Sequence, residues 1–330
     1  MKRIFCVLIG ICVCHGFAVD MVRMNGYRYG AEAKERFHVV DQDGRPVVGA
    51  WFKGGFTIGE NHMKDYTVVE GTTNTNGDFI AQGKCNDFLH YSIFKEGYYQ
   101  SSGDVRYLAS RREPCIVNGR WQPFGETHWI ILNRILAPNK LIPFRRNLRD
   151  LKIPVFEKWL GFDLEHGDWV KPWGRGVLSD VLMRSSVRVK NVYTDYDYLL
   201  EISFTNAPYA GAYLAQKNPC SELKTFHKAD PNGVYESEFR FFVKALPQVG
   251  TMESLLKEDR YLVFRVRTEV DSAGHLKSAH YGVILGPWLF DQNGMTITDG
   301  CFNPLPNDLN VEDGRQLRAA LKGTGRFSAR

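Results

Sequence analysis

This 330-residue sequence lacks most of the short motifs that identify an enzyme. It has no Gly-x-Ser-x-Gly and no His-Glu-x-x-His motif, so nothing in it supports a serine hydrolase or a zinc peptidase. It also has no Cys-x-x-Cys or His-x-x-x-His pair, so we expect no metal and no other cofactor. After the first residues, no apolar run approaches the ~20 residues that a membrane-spanning helix needs. We therefore do not expect the chain to span a membrane.

The charge balance is also modest. Lys and Arg together number 42 against 37 Asp and Glu, which gives a formal net charge of +5. A nucleic-acid-binding protein concentrates a larger basic excess on one face, so we expect no nucleic-acid partner. Aromatic residues make up 13% of the chain and glycine occurs 31 times, a composition that favours short strands and many turns. The length suits two domains, and we expect a mainly β fold.

The N-terminal residues resemble an export signal. Lys2 and Arg3 form a basic start, residues 4–13 form a short apolar core, and Gly16 and Ala18 provide a small-residue cleavage pattern. We expect residues 1–18 to be removed after Ala18. The mature protein would then be periplasmic, cell-surface or secreted.

Turn signals between apolar segments predict a small β-sandwich over residues 35–137, after a lead-in at 19–34. Asp43-Gly44 and Asn76-Gly77 are dipeptides that form tight turns, because glycine adopts a positive φ without steric cost. Residues 99–127 form a long connection, which we expect to cover a sheet edge. The predicted strands lie near residues 35–40, 47–57, 66–72, 78–82, 88–95 and 127–136.

Three segments of this region resemble the carboxypeptidase regulatory-like domain, a transthyretin-like β-sandwich. They are Val-Asp-Gln-Asp-Gly-Arg-Pro-Val-Val-Gly-Ala at 40–50, Thr-Asn-Gly-Asp-Phe at 75–79 and Lys-Glu-Gly-Tyr at 95–98. The resemblance covers about a third of the chain. It implies an accessory domain that supports folding, adhesion or docking, with no catalytic residues.

A proline-rich connector at residues 138–155 leads to a second β-rich domain at 156–312, and residues 313–330 form a tail. We expect an antiparallel sandwich, built from hairpins, with one helix at 252–259 after Thr251 as N-cap. One hairpin is predicted to turn at Tyr196-Asp197. The strands of the second domain are predicted at residues 186–193, 198–205, 235–243, 261–270, 279–285 and 295–302.

The segment at residues 159–176 combines three tryptophans with acidic side chains and a histidine. Tryptophan rings stack on the apolar faces of sugars and carboxylates accept hydroxyl hydrogen bonds, so we take Trp169, Trp173, Asp168 and His166 as candidate ligand-binding residues. If the protein is an enzyme, Asp163, Glu165 and Asp168 could act as acid and base on a glycan. The alternative is that the tryptophans are core residues and the acids cap turns.

Four cysteines remain outside the predicted signal. In an oxidising compartment they allow two disulfides, and four cysteines permit three pairings. We favour Cys85 with Cys115, both in the first domain, and Cys220 with Cys301, both in the second.

These observations favour an exported, non-enzymatic protein of two β domains that binds a carbohydrate, an envelope component or a partner protein. One alternative is a glycan hydrolase that uses the carboxylates at 163–168. The other is a structural subunit of a surface assembly, in which exposed sheet edges meet neighbouring subunits.

Overall fold

The computed structural model of this chain divides into two units. It describes Met21, Asn25, Gly26 and residues 28–58, 65–107, 116–138, 141–144, 151–206, 208–291 and 294–312. The first unit contains the described residues up to Ile135 together with the segment Cys220–Glu222, and the second contains Leu136–Pro219 and the described residues from Leu223 onward. The predicted signal at 1–18 and the C-terminal tail lie outside the described residues.

The first unit consists of two sheets around one apolar core. In one sheet β1 lies centrally, antiparallel to β4 and parallel to β8 and β9, and β7 pairs with β8. The other sheet has the order β3-β2-β5-β6, all antiparallel. The strands are β1 (Ala31–Asp41), β2 (Trp51–Ile58), β3 (Asp65–Thr72), β4 (Asp78–Cys85), β5 (Phe88–Phe94), β6 (Ser101–Arg106), β7 (Ile116–Val117), β8 (Arg120–Trp121) and β9 (Glu126–Leu132).

The alternation of β1 explains how this core forms. Ala33, Phe37 and Val39 alternate with more exposed residues and are fully buried, where Phe37 packs against Phe52 of β2 and Tyr91 of β5. Successive side chains of a strand point to opposite faces, so one face of β1 can be apolar throughout. Glu35 occupies the same inward face and is also buried.

The second unit also contains two sheets, of five and six strands, with the orders β10-β20-β19-β18-β15 and β12-β11-β13-β14-β16-β17. One apolar cluster contains side chains of both sheets. A second cluster contains other side chains of the five-stranded sheet. Residues Tyr261 to Val266 of β18 are consequently buried in succession. The strands are β10 (Ile142–Pro143), β11 (Leu160–Asp163), β12 (Asp168–Trp169), β13 (Val181–Asn191), β14 (Asp195–Phe204), β15 (Gly211–Gln216), β16 (Glu238–Leu246), β17 (Gly250–Ser254), β18 (Arg260–Val270), β19 (Leu276–Phe290) and β20 (Met295–Phe302).

The mainly β, multi-sheet fold that composition predicts is confirmed, but the helix expected at 252–259 is wrong. That segment begins in the edge strand β17, which pairs with β16, and then continues to Leu256. Leu256 is 1% exposed, and its carbonyl accepts the N–H of Trp288 at 2.9 Å. Strand pairing and burial of Leu256 therefore override the local N-cap signal.

The hairpin between β13 and β14 turns earlier than Tyr196-Asp197. Its turn residues are 192–194, where Asn191 Oδ1 accepts the backbone N–H groups of Tyr193 and Thr194. An asparagine side chain that bonds two residues ahead stabilises such a turn. Tyr196 and Asp197 consequently lie within β14.

Two segments expected to be connections contain strands. Within 138–155, β10 pairs with β20, and the adjacent Leu141 and Phe144 are buried. Within 99–127, β6 extends the second sheet, and a turn at Asn118-Gly119, both with positive φ, joins β7 to β8. Asn-Gly is a tight-turn signal, so this small hairpin could have been found in the sequence.

Within the part of the chain that the structure describes, no helix has the length and hydropathy needed to cross a bilayer.

Candidate functional site

Asp163, the first acid of the predicted site, is enclosed by hydrogen-bond donors. It ends β11 and is 0% exposed. Its Oδ1 accepts the backbone N–H groups of Glu165 at 2.9 Å and His166 at 3.2 Å, and its Oδ2 accepts those of Val177 at 2.8 Å and Leu178 at 3.1 Å. The carboxylate therefore holds together the β11–β12 turn and the loop before β13.

Arg267 of β18 joins this carboxylate to two more. Its Nη2 donates to Asp163 Oδ1 at 3.1 Å and to Asp180 Oδ2 at 3.2 Å, its Nε donates to Asp180 Oδ1 at 3.0 Å, and its Nη1 donates to Glu165 Oε2. Its guanidinium also lies 4.6 Å from the centroid of the Phe302 ring. We call Asp163, Glu165, Asp180 and Arg267 the Arg267 cluster.

Burial and hydrogen bonding shift the pKa values of the Arg267 cluster in opposite directions. Burial alone would raise the pKa of Asp163, but the N–H donors of Val177, Leu178 and His166 outweigh it and lower that pKa. For Asp180, burial dominates the hydrogen bonds from Arg267 and raises the pKa. Burial would lower the pKa of Arg267, yet its hydrogen bonds to Asp180 and Glu165 raise it.

The candidate catalytic acids are thus all engaged by donors of their own chain. Asp163 and Glu165 belong to the Arg267 cluster. Asp168 accepts the N–H groups of Trp169 at 2.8 Å and Arg175 at 3.1 Å, and Arg175 Nε lies 3.4 Å away. This geometry is that of turn-capping carboxylates, and it does not favour an acid and base pair.

The predicted aromatic platform is only partly on the surface. Trp169 is 3% exposed, packs edge-on against Phe162 and donates its Nε1–H to the Lys152 carbonyl at 2.9 Å. The Trp169 ring is therefore a core residue in this structure, and its faces are not exposed for stacking on a sugar. Trp173 is 51% exposed, and the side chain of His166 is 45% exposed with Nδ1 held 2.9 Å from Asp163 Oδ2.

The structure describes three of the four cysteines for which disulfides are predicted, Cys85, Cys220 and Cys301. Cys220 lies beside Ser221, which pairs with Ser101 of β6, and the Tyr91 hydroxyl is 4.0 Å from the Cys220 sulfur. Cys301 is buried in β20. The structure assigns these two cysteines to different units and does not join them. Cys85 is a buried thiol hydrogen-bonded to the Phe88 carbonyl at 3.3 Å, and burial raises its pKa to about 12. Its predicted partner Cys115 lies outside the described residues.

A more open site, which the sequence does not predict, lies on the six-stranded sheet of the second unit. Strands β13, β14 and β16 are consecutive neighbours there, so residues far apart in sequence stand in rows across the sheet. We call this surface the three-row face. Its first row is Arg184, Glu201 and Arg240; its middle row is Ser186, Leu199 and Phe242; its third row is Arg188, Asp197 and Lys244.

Charge alternates in the first and third rows of this face. In the first row Arg184 donates to Glu201 through Nε at 2.8 Å and Nη2 at 2.6 Å. In the third row Lys244 Nζ lies 3.5 Å from Asp197. Arg188 is paired outside the rows with Asp195, at 2.9 Å. The nine residues of the three rows carry a formal charge of +2, and the middle row is largely apolar.

A groove of about 420 Å³ lies on this face. Leu199 and Phe242, both partly buried, contribute apolar surface to it, while Arg188, Arg240 and Lys244 contribute positive charge. Arg240 is exposed, and among the described residues no carboxylate lies within ion-pair distance of it. Glu157, Ser186, Val187 and Asp197 complete the lining.

One signal of this face was available in the sequence. Segments 184–188, 197–201 and 240–244 each place a charged residue at both ends and an uncharged one at the middle position. Strand alternation puts those three positions on one face. The order of the strands in the sheet, which makes the segments neighbours, was not available.

The comparisons with known proteins identify no family. No protein-family model and no curated protein matches this chain. Solved structures that are similar over part of it include 3-chlorocatechol 1,2-dioxygenase from Rhodococcus opacus 1CP, with 16% identity, 33% of this chain and 62% of that chain covered and a TM-score of 0.26. Hydroxyquinol 1,2-dioxygenase from Pseudomonas putida DLL-E4 has 15% identity over 32% of this chain and 57% of that chain, with a TM-score of 0.24.

The dioxygenase domain of a dioxygenase and carbohydrate-binding protein fusion from Streptomyces sp. SirexAA-E has 12% identity, a TM-score of 0.25 and coverage of 32% of this chain and 82% of that chain. This chain spans less than two thirds of the length of the 3-chlorocatechol 1,2-dioxygenase. TM-scores of this size bear on neither the fold nor the activity of this chain.

Proposed function

We propose that this chain is an exported binding protein without catalytic activity, and that the three-row face of its second unit binds an acidic polysaccharide. The observation that carries the proposal is Arg240, an exposed cation without a carboxylate partner among the described residues, next to the partly buried Phe242 in the groove. Export is supported by the composition of residues 1–18, and an accessory role for the first unit by its resemblance to the carboxypeptidase regulatory-like domain.

The lining of the groove suits a sugar chain that carries carboxylate or phosphate groups. An aromatic ring stacks on the C–H face of a sugar, and the Asp197 carboxylate and Ser186 hydroxyl can hydrogen-bond its hydroxyl groups. Arginine binds carboxylates and phosphates through two parallel N–H groups. A volume of about 420 Å³ lies in the range of typical small-molecule sites.

The spacing of the rows suggests how such a chain would lie. The first and third rows are four residues apart along each strand, which corresponds to about 13–14 Å. A sugar bound on the middle row would have cations on both sides. A polymer with acidic groups on successive units could therefore contact both charged rows at once.

Hydrolysis of a glycan receives less support. The carboxylates suggested for it at 163, 165 and 168 are all occupied by hydrogen bonds within the chain. We accordingly propose binding without turnover.

A depletion assay tests the proposal. The protein is incubated with insoluble acidic and neutral polysaccharides and with cell-wall material, and the supernatant is assayed for depleted protein and released sugars. We expect depletion by the acidic polysaccharides without release of sugars. Arg240→Ala and Phe242→Ala should each reduce depletion at least about tenfold, as expected for central contacts of a binding site.

The matched controls are Arg260→Ala and Phe226→Ala, which replace partly or fully exposed residues of the same unit outside the three-row face. Undiminished binding by both groove variants would reject the proposed site. Release of sugars would reject a non-enzymatic role, and the absence of any depletion would reject a polysaccharide ligand in favour of a partner protein.

A further inference from the structure

One sheet of the first unit has an outer face that the polysaccharide site does not use. Strand β1 lies between β4 on one side and β8 and β9 on the other. Since Phe37 and its alternate neighbours of β1 point into the core, the intervening residues of β1 and the residues aligned with them point outward. We use the name Trp129 face for six of these outward side chains: Lys34, Ile80, Lys84, Arg120, Trp129 and Ile131.

Three large apolar side chains are exposed at one end of the Trp129 face. Trp129 is 71% exposed, Ile80 52% and Ile131 47%. Trp129 and Ile131 are alternate residues of β9, and Ile80 lies on β4, with β1 between the two strands. A single exposed apolar residue needs no explanation, whereas several on one face of a sheet mark an interaction surface.

The exposed ring of Trp129 is held in place by neighbouring strands. It packs edge-on against the ring of His38, with ring centroids 4.4 Å apart. His38 Nδ1 lies 2.8 Å from Asp78 Oδ1, and Arg36 Nη2 donates to Asp78 Oδ2 at 2.5 Å. Asp78 is 7% exposed, so a buried carboxylate positions the imidazole that contacts Trp129. An aromatic side chain that is already oriented loses less entropy when it binds.

The other end of the face carries three cations. Among the described residues, no carboxylate lies within ion-pair distance of Lys34, Lys84 or Arg120. Lys34 Nζ lies 5.9 Å and the Arg120 guanidinium 4.8 Å from the centroid of the Phe124 ring, which keeps these two charges close together. Glu32, which is aligned with Lys84 and Arg120, is the carboxylate of this end, so the end keeps a formal charge of +2.

We infer that the Trp129 face binds an anionic lipid surface, with its cations against the phosphate groups and the Trp129 ring among the headgroups. Lysine and arginine side chains are attracted to anionic membrane surfaces, and tryptophan concentrates at the membrane–water interface. The two isoleucines favour lipid over sugar, because isoleucine has neither a ring to stack on a sugar nor a group that bonds a hydroxyl. This inference goes beyond the polysaccharide site and does not depend on it.

The arrangement of the face also suits lipid better than a protein partner. In a protein interface, apolar residues form the centre and charged residues form the rim. Here the two groups lie at opposite ends: Trp129 is aligned with His38, which is four residues from Lys34 along β1, or about 13 Å. The headgroups of a fluid lipid surface move independently, so such a surface can contact both groups at once.

Co-sedimentation with vesicles tests the inference. The mature chain at residues 19–330, which lacks the apolar segment of the predicted signal, is mixed with vesicles of phosphatidylcholine alone or of phosphatidylcholine and phosphatidylglycerol in equal parts. We expect it to bind only the vesicles that contain phosphatidylglycerol, and to bind them more weakly as salt rises.

Variants of the Trp129 face should bind these anionic vesicles less well. Trp129→Ala should weaken binding at least about tenfold, because it removes the largest apolar contact. Lys84→Gln and Arg120→Gln should each weaken it about fivefold, as expected for the loss of one basic side chain at an anionic surface. All three side chains are exposed, so the variants should fold.

Trp51→Ala and Arg106→Gln are the matched controls, since they replace exposed residues on the other sheet of the same unit. Both should bind anionic vesicles as the unaltered chain does, and so should Arg240→Ala, which alters the polysaccharide site. Equal binding to the two kinds of vesicle, undiminished binding by Trp129→Ala and Arg120→Gln, or loss of binding in Arg240→Ala alone would each overturn the inference. Absence of binding to either kind of vesicle would overturn it in favour of an acidic protein partner.

Discussion

Arg267 shows how one side chain determines the structure of the segment that looked most functional in the sequence. Asp163 and Asp180 are 0% and 2% exposed, and burying two carboxylates is unfavourable unless both are paired. The guanidinium donates to both of them and to Glu165. The acids at 163 and 165 are therefore explained by folding, and Asp168 by its bonds to Trp169 and Arg175.

Replacing Arg267 by methionine tests this explanation. The variant keeps apolar packing against Phe302 but leaves two buried carboxylates without their cation, so the free energy of unfolding should fall by about 3–5 kcal/mol. Urea denaturation followed by tryptophan fluorescence measures the change. Arg260→Ala, which removes a more exposed arginine next to Asp259, should change stability by less than about 1 kcal/mol. Equal losses in the two variants would show that the cluster does not stabilise the fold.

Asp78 gives an expectation about pH. Hydrogen bonds from Arg36 first and His38 second lower the pKa of Asp78. Because this pKa is lower in the folded state than in the unfolded chain, the ionised carboxylate stabilises the fold above about pH 4. That contribution is lost as the pH falls further.

Asp78→Asn should therefore be clearly less stable than the unaltered chain at pH 7, and the difference should shrink at pH 3. Urea denaturation at the two pH values measures it. Glu32→Gln, an exposed change on β1, is the control and should show a smaller difference at pH 7. A difference that stays constant or grows on acidification would contradict the assigned role of Asp78.

At the scale of elements, β19 depends on a glycine where three strands approach closely. A Cβ atom at Gly282 would lie 2.2 Å from the Phe264 ring of β18 and 2.3 Å from the Cys301 carbonyl of β20. Since the carbonyl belongs to the backbone of a paired strand, it cannot move aside easily. Gly282→Ala should therefore destabilise the second unit by about 1–3 kcal/mol, as overpacking of a core does.

Thermal denaturation followed by circular dichroism checks this expectation. Gly233→Ala is the matched control, because a Cβ there would lie 3.3 Å from its nearest atoms, against 2.2 Å at Gly282, and the φ of Gly233 is not positive. It should lower the midpoint less than Gly282→Ala does. If Gly282→Ala has the same midpoint as the control, the strands β18, β19 and β20 are farther apart at Gly282 than the structure shows.

The elements also show which parts of the structure the sequence could predict. Strand β20 lies at Met295–Phe302, the range predicted from the sequence, and the turns at Asp43-Gly44 and Asn76-Gly77 follow from glycine at positive φ. These features are local. The helix predicted at 252–259 is wrong because the strand character of β17 comes from pairing with β16, and pairing is not local.

The same distinction explains the candidate sites. The sequence could identify Trp173 and His166, whose side chains are partly exposed, but could not separate them from the buried Trp169 four residues before Trp173. The three-row face requires the order β13-β14-β16, and alternation alone does not specify which strands are neighbours.

At the scale of the whole molecule, the chain contains two units with separate apolar cores. Multidomain chains commonly depart from two-state unfolding. We expect scanning calorimetry to resolve two transitions. Arg267→Met should lower the midpoint temperature of one, and Asp78→Asn that of the other. A single transition shifted by both variants would contradict separate unfolding of the units.

The central claim is that the three-row face binds an acidic polysaccharide, and titration with a soluble acidic oligosaccharide tests it most directly. Calorimetry at low and high salt should show binding that weakens as salt rises, because exposed charges are screened. Arg240→Ala should abolish most of the affinity, while Arg260→Ala should leave it unchanged. Binding that is insensitive to both salt and Arg240→Ala, or the absence of binding by the unaltered chain, would contradict the claim.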